Sequence, residues 1–250
     1  MHHPALPVLA KLCRRAHGIL APYYAWHSAA PEFDAFLVAP EARLGRGGAV
    51  LLEEDAEGDS LFLGICFGEQ LAREAAHRAA HGSEPGLHAV AVVAEETSHF
   101  MTLVEAADRG VAVSRLDLET LGEIDRFLAL LHWGGQDGEG TEGKEGSEGT
   151  TAHAGGGRPN ASAEQARLLS IRDVCDAVFT GERFAPGPDA SVYVEAEARA
   201  FSHLRRAFAR RWDDRGFDAR RVDPDAARYL EDVRESVLGG ARTSQARKAG

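Results

Sequence analysis

A thirty-residue stretch in the middle of this chain cannot contribute to a core. Ten of residues 134–163 are glycine, and Glu139 to Thr150 reads as four E-G-x triplets, EGT, EGK, EGS and EGT. Glycine offers no side chain to bury and raises the entropy lost on ordering, while the glutamates repel one another. Triplets without proline do not make a collagen helix. The acid density lacks the ligand spacing of a calcium loop. The stretch is therefore expected to be a flexible linker or insertion. It divides the chain into a mixed α/β portion, 1–133, and a helical portion, 164–250, with a frayed basic tail.

What remains is ample for folding. The chain has 250 residues, 44% hydrophobic and 27% charged, which is ordinary globular usage and enough for a sizeable core. That balance excludes a wholly disordered protein. No run of 18 apolar residues occurs, and Lys11, Arg14 and Arg15 interrupt any would-be signal core. Cys13, Cys66 and Cys175 are far apart and form no C-x-x-C pair, which fits a reducing compartment. The expected location is cytoplasmic.

The net charge of −11 is unevenly spread. It is −9 over 1–133, −3 over 134–163 and +1 over 164–250. An acidic total argues against a dedicated nucleic-acid binder, although it leaves room for a local basic patch.

Leu6, Leu9, Leu12, Cys13, Ala16 and Leu20 recur at helical intervals, and Pro22 should end that helix. Phe33 to Val38 reads as a strand. Ala49–Glu54 and Ser60–Phe67 flank a D-A-E-G-D turn and predict a β-hairpin. A helix should follow from Gly68 to about His81. Two more, at 87–109 and 114–133, are separated by four residues, which implies an antiparallel pair. Ser114 with Asp117 forms a capping box for the second. In the C-terminal portion, Ser162 with Gln165 should cap a helix to about Thr180. Asp189 should cap one to about Arg215, and Asp223-Pro224 should open the last. The fold class that results is α+β, a small N-terminal antiparallel sheet packed against a predominantly helical body.

One polar cluster stands out in this pattern. Glu96 falls inside the apolar stripe of helix 87–109, and His99 on its edge. Asp125 lies on the margin of the stripe of helix 114–133, whereas Glu119 and Glu123 point away from it. In an antiparallel hairpin Glu96 is level with about Phe127, and Asp125 with about Ser98. Glu96, His99 and Asp125 thus come within a helical turn of each other. A buried carboxylate must be paired, protonated or metal-bound. Glu96-Thr97-Ser98-His99 is also E-x-x-H, a spacing that sets two ligands on one face. A di-iron bundle needs a second such motif, and none occurs. A mononuclear divalent-metal site at Glu96, His99 and Asp125 stays open, and with it a metal-dependent enzyme. So does a structural cluster in which Glu96 accepts hydrogen bonds from His99, Ser98 or an arginine such as Arg126.

Other features carry less chemistry. His77 and His81 are four apart on one helix, but Arg73 and Arg78 oppose a cation there. Gly45-Arg46-Gly47-Gly48 precedes a strand, the wrong context for a phosphate loop. Eight arginines lie between Arg199 and Arg221 against three acids, on a helix whose apolar stripe is Val194, Ala198, Phe201, Leu204, Phe208 and Trp212. Arg199, Arg206 and Arg210 are the residues through which such a helix would capture an acidic protein partner.

At E-x-S-H-F (Glu96 to Phe100), followed by L-x-L-E and E-x-D-x-F (Leu116 to Phe127), the chain resembles a group of uncharacterised bacterial proteins. The likeness covers mainly residues 33–133, with a looser match in the C-terminal helices. It implies that the E-x-S-H-F helix and its partner form the core, and it brings no activity. The expected function is a cytoplasmic, non-catalytic interaction or regulatory protein without a cofactor. The metal-dependent enzyme is the alternative.

Overall fold

The computed structural model describes residues 3–24, 31–54, 61–133, 170–179, 190–214, 218 and 221–239. The Gly/Glu stretch, the hairpin turn, the caps expected at Ser162 and Asp189, and the basic tail beyond 239 lie outside the described residues.

Helix α1, Leu6–Tyr24, buries Leu9, Cys13, Ala16 and Leu20 along one stripe. It runs through Pro22 rather than stopping there. A proline this close to a helix end removes one hydrogen bond, and the buried Tyr23 and Tyr24 hold the final turn against the core. Phe33 to Val38 is not a strand. Phe33–Phe36 forms the single-turn helix α2, because Phe33 is wholly buried with its ring 6.1 Å from that of Phe100. Leu37 forms an isolated bridge to Ile65, where the Val38 N–H donates to the Ile65 carbonyl at 3.0 Å.

Strands β1, Gly48–Glu54, and β2, Leu61–Phe67, pair antiparallel with Gly48 opposite Phe67 and Glu54 opposite Leu61. Ile65 and Phe67 face the core, while Phe62 is largely exposed. Helix α3, Glu69–Ala80, closes the sheet with Leu71, Ala72 and Ala75. Helices α4, Leu87–Arg109, and α5, Arg115–His132, make the expected hairpin. Gly110, at φ +63°, ends α4 in the left-handed conformation glycine tolerates. The Ser114 hydroxyl caps α5 by accepting the Asp117 N–H at 3.1 Å.

Three further helices lie among the described residues: α6, Ile171–Val178, α7, Ala190–Ala207, and α8, Pro224–Val237. A capping box of Ser170 and Asp173 starts α6 at Ile171. Helix α7 gives way to successive turns after Ala207, which still bury Phe208. Its buried face is Ala196, Glu197, Ala200 and Leu204, leaving Val194 outside.

The core has two clusters, and α1 and α5 belong to both. One gathers most of α1, the sheet, α3 and the first half of α4. The other gathers Leu20, Tyr23, Tyr24, Ile124, Phe127 and Leu128 with Ile171, Leu204, Phe208 and Leu230 from the last three helices. Helix α4 therefore lies inside α1, the sheet and α5, and α7 covers the far side of α5. The architecture is α+β, a two-stranded antiparallel sheet against a helical body. No helix among the described residues is long and apolar enough to cross a membrane.

Candidate metal centre

Enclosure of α4 and α5 places polar side chains where a two-faced helix would have none. From Ala89 to Thr102, α4 is buried almost all round. The expected cluster resolves into two neighbouring sites. Asp125 is fully buried and serves the first. The Ser98 hydroxyl donates to its Oδ2 at 2.5 Å, and the Tyr24 hydroxyl donates to Oδ1. The level pairing of residues 98 and 125 thus holds to the residue. Glu96 and His99 belong to the second site, and Arg126 is occupied elsewhere, 2.7 Å from the buried Glu123.

His99 is the centre of that second site. Its Nδ1 lies 3.7 Å from Glu96 Oε2 on one side, and its Nε2 lies 3.7 Å from Glu119 Oε2 on the other. All three residues are buried. Glu119 and Glu123 therefore do not point to solvent: α7 covers the face of α5 that carries them. One ligand atom each from Glu95, His99 and Glu119 falls within 4.8 Å of the others. Roughly tetrahedral ligation at about 2.1 Å brings such atoms to about 3.4 Å apart, so capture of an ion requires only a small inward movement.

Two glycines make the room. A Cβ on Gly122 would stand 2.5 Å from His99 Nε2, so the bare backbone of α5 lets the imidazole pack directly against it. A Cβ on Gly48 would stand 2.5 Å from Glu96 Cγ, so the start of β1 lets the Glu96 side chain lie against the strand. His99 Nε2 and Glu96 Oε2 are buried and make no hydrogen bond among the described residues. An imidazole nitrogen in this state, flanked by carboxylates, fits a cation.

The charges agree. Burial opposes the imidazolium of His99, but contact with Glu96 and the charges of Glu96, Glu95 and Glu119 outweigh it and raise its pKa to about 9. Burial raises Glu119 as well, and the charge of His99 offsets part of that. The rim comes from Arg115 and Tyr193. Arg115 Nε is 3.7 Å from Glu119 Oε1, and its Nη2 donates to the Tyr193 hydroxyl at 3.2 Å. Burial, then the charge of Glu119, raises the Tyr193 phenol, with a smaller contribution from Glu95.

Asp125 supplies a test that needs no ligand. Burial lifts its carboxyl from 3.8 to about 6, against the charge of Arg234, the hydrogen bonds from Ser98 and Tyr24, and the charge of His99. A folded-state pKa above the unfolded one contributes stability that is fully present below about pH 4 and is lost as pH rises through about 6. Asp125→Asn removes this titration. Relative to the wild type, the variant should gain up to about 3 kcal/mol between pH 4 and 7.5, measured by urea unfolding. Parallel pH curves for the two proteins would refute it.

The remaining candidates lie apart from this centre. His81 Nδ1 sits 2.7 Å from the His77 carbonyl oxygen, within their own helix. Arg199 pairs with Glu195 at 2.6 Å and reaches Asp117 at 3.9 Å, and Arg210 pairs with Asp225 at 3.3 Å. Arg206 is exposed. Two of the three arginines expected to capture a partner thus face intrachain carboxylates.

Sequence reasoning missed Glu95, Glu119, Gly48 and Gly122 as parts of the centre. Gly122 carried a signal, since an isolated glycine within a helix marks a close approach. No protein-family profile matches the chain, and neither the curated proteins nor the solved structures contain a significant match to it.

Proposed function

We propose that this protein binds a single divalent metal ion between α4 and α5, with Glu95, His99 and Glu119 as its ligands. The observation that carries the reading is the approach of the Glu95 and Glu119 carboxylates to a buried imidazole whose Nε2 makes no hydrogen bond among the described residues. The ligand set replaces the one expected from sequence spacing, because Asp125 is engaged by Ser98 and Tyr24. One imidazole and two carboxylates suit Zn²⁺, Mn²⁺ or Fe²⁺. Three protein ligands leave positions for water or substrate, the pattern of catalytic rather than structural sites. The ion would supply a Lewis acid. Glu96, on the Nδ1 side of His99, would hold the ring in orientation as a carboxylate behind a metal-bound imidazole does. Three buried cysteines without disulfides fit a cytoplasmic location.

Elemental analysis of the metal-depleted protein after equilibration with Zn²⁺ or Mn²⁺ tests this. About one ion per chain is expected, falling to none in His99→Gln and Glu119→Gln. Glu95→Gln alters the least buried of the three ligands and keeps the test valid if the other two variants misfold. No ion bound by the wild type, or full occupancy in the folded Glu95→Gln variant, would make the cluster a structural ion-pair network.

A further inference from the structure

We infer that this chain pairs with a second copy of itself through the outer edge of β1, joining two hairpins into one four-stranded antiparallel sheet. The sheet has one covered edge and one open edge. On the β2 side, the Val38 N–H donates to the Ile65 carbonyl and the Glu41 N–H to the Phe67 carbonyl, both at 3.0 Å. Residues 37–41 therefore cover that edge. On the β1 side, no backbone hydrogen bond joins Gly48–Glu54 to anything but β2 among the described residues. A strand paired on one side only turns the N–H and C=O of alternate residues outward without a backbone partner. Natural edges are blunted by lysine, proline or a bulge. Between Gly48 and Leu52 this edge has no lysine or proline, and its register against β2 is unbroken.

The strand is complementary to itself. Val50 lies opposite the fully buried Ile65 and Leu52 opposite Leu63, so these four side chains share the face turned to the core. Val50 and Leu63 pack against that core, yet Leu52 is 54% exposed. The end of the hairpin thus overhangs the helical body and leaves an apolar side chain on its inner face uncovered. A two-fold axis at Leu51 sets Leu52 beside the partner's Val50, and Val50 beside the partner's Leu52. The inner face then runs unbroken from Leu63 and Leu52 to the partner's Val50 and the partner's Ile65, once on each side of the axis. Charge selects the same arrangement. Glu53, the exposed acid of the strand, falls opposite the partner's Ala49, and the like charges of the two copies stay at opposite ends of the pairing. A slip that keeps the hydrogen-bonding pattern loses this match. One direction sets Leu52 against the partner's Gly48, and the other sets Glu53 against the partner's Leu51.

Sedimentation equilibrium of the full chain reads the association, from about 1 to about 500 µM protein in about 0.3 M NaCl, which screens the −11 charge on each copy. A monomer–dimer equilibrium within that range is expected, as suits one strand pair and a few side chains. Leu51→Lys sets two ammonium groups face to face across the axis and should weaken the dimer about tenfold or more, with an unchanged circular dichroism spectrum. Leu51→Glu should do the same. An equimolar mixture of these two variants should recover a one-to-one heterodimer, because lysine then faces glutamate. Leu52→Lys changes a side chain that is already largely exposed, so it keeps the test valid if the Leu51 variants misfold. It should weaken the dimer by a similar factor. A monomer at every concentration overturns the inference and leaves the edge to a strand of another protein. A dimer that persists in the lysine variants also overturns it, since association then uses another surface. Loss in both Leu51 variants without recovery in their mixture rules out the two-fold axis at that residue.

Discussion

Replacing Arg234 with alanine should lower the unfolding free energy by about 3–5 kcal/mol, the cost of removing one partner from a buried ion pair. Arg234 on α8 is only 2% exposed, so its charge has left water almost completely. Its compensation comes from α4 and α1. Nη2 is 3.1 Å from Glu105 Oε2, Nη1 donates to the Thr102 hydroxyl at 2.9 Å, and the guanidinium lies 5.0 Å from the Tyr24 ring centroid. The same charge lowers the Asp125 carboxyl, which burial raises. Truncation therefore strands Asp125 and opens a cavity in one step. Glu105 is less affected because it is partly exposed. Arg234→Met keeps most of the stem volume and should recover part of the loss. Urea denaturation of both variants decides the point, and a loss below about 1 kcal/mol in Arg234→Ala would show that α8 is held by its apolar face alone. Combining Arg234→Ala with Asp125→Asn should cost less than the sum of the two, since the carboxylate that misses the arginine is gone.

Much of the architecture was legible because periodicity and caps are local. The hairpin strands, the α4–α5 pair, the Ser114 cap and the Asp223-Pro224 start all follow from residues within a few positions of one another. The misread elements were settled by distant contacts. Phe33 turns a β-like stretch into a helical turn because its ring belongs beside Phe100, and Tyr23 and Tyr24 keep α1 helical past Pro22. The site failed in a more instructive way. Assigning one buried stripe to each helix assumes that each helix has one dry face. Helix α5 has two, toward α4 and toward α7, so Glu119 and Glu123 are enclosed although they lie off the apolar stripe. Hairpin arithmetic, by contrast, set Ser98 against Asp125 correctly, because only the length of the turn enters it. The proposed ligands follow from that register once the second dry face is known: Glu95 and His99 are one turn apart on α4, and Glu119 reaches them from α5.

Gly122→Ala should abolish metal uptake, and it should destabilise the protein although alanine is the better helix former. In an open helix interior the exchange gains about 0.8–1 kcal/mol. Here the new methyl would meet His99 at 2.5 Å from Nε2, 3.1 Å from Cδ2 and 3.3 Å from Cε1. The ring cannot simply recede. Glu96 stands 3.7 Å behind Nδ1, and the Glu96 stem already lies where a Gly48 Cβ would be. Overpacking of this kind costs about 1–3 kcal/mol, which outweighs the gain in propensity. A displaced ring would also carry Nε2 out of reach of the Glu95 and Glu119 carboxylates. Gly18 on α1 supplies the internal control, since a Cβ there meets nothing within 4 Å. Gly18→Ala should stabilise by up to about 1 kcal/mol and leave metal content unchanged. Opposite signs from the same substitution at two helical positions, read by urea unfolding and elemental analysis, would locate the cause in the His99 pocket. Equal stabilisation with full metal occupancy in both would mean that the imidazole is not positioned by its contact with the α5 backbone at Gly122.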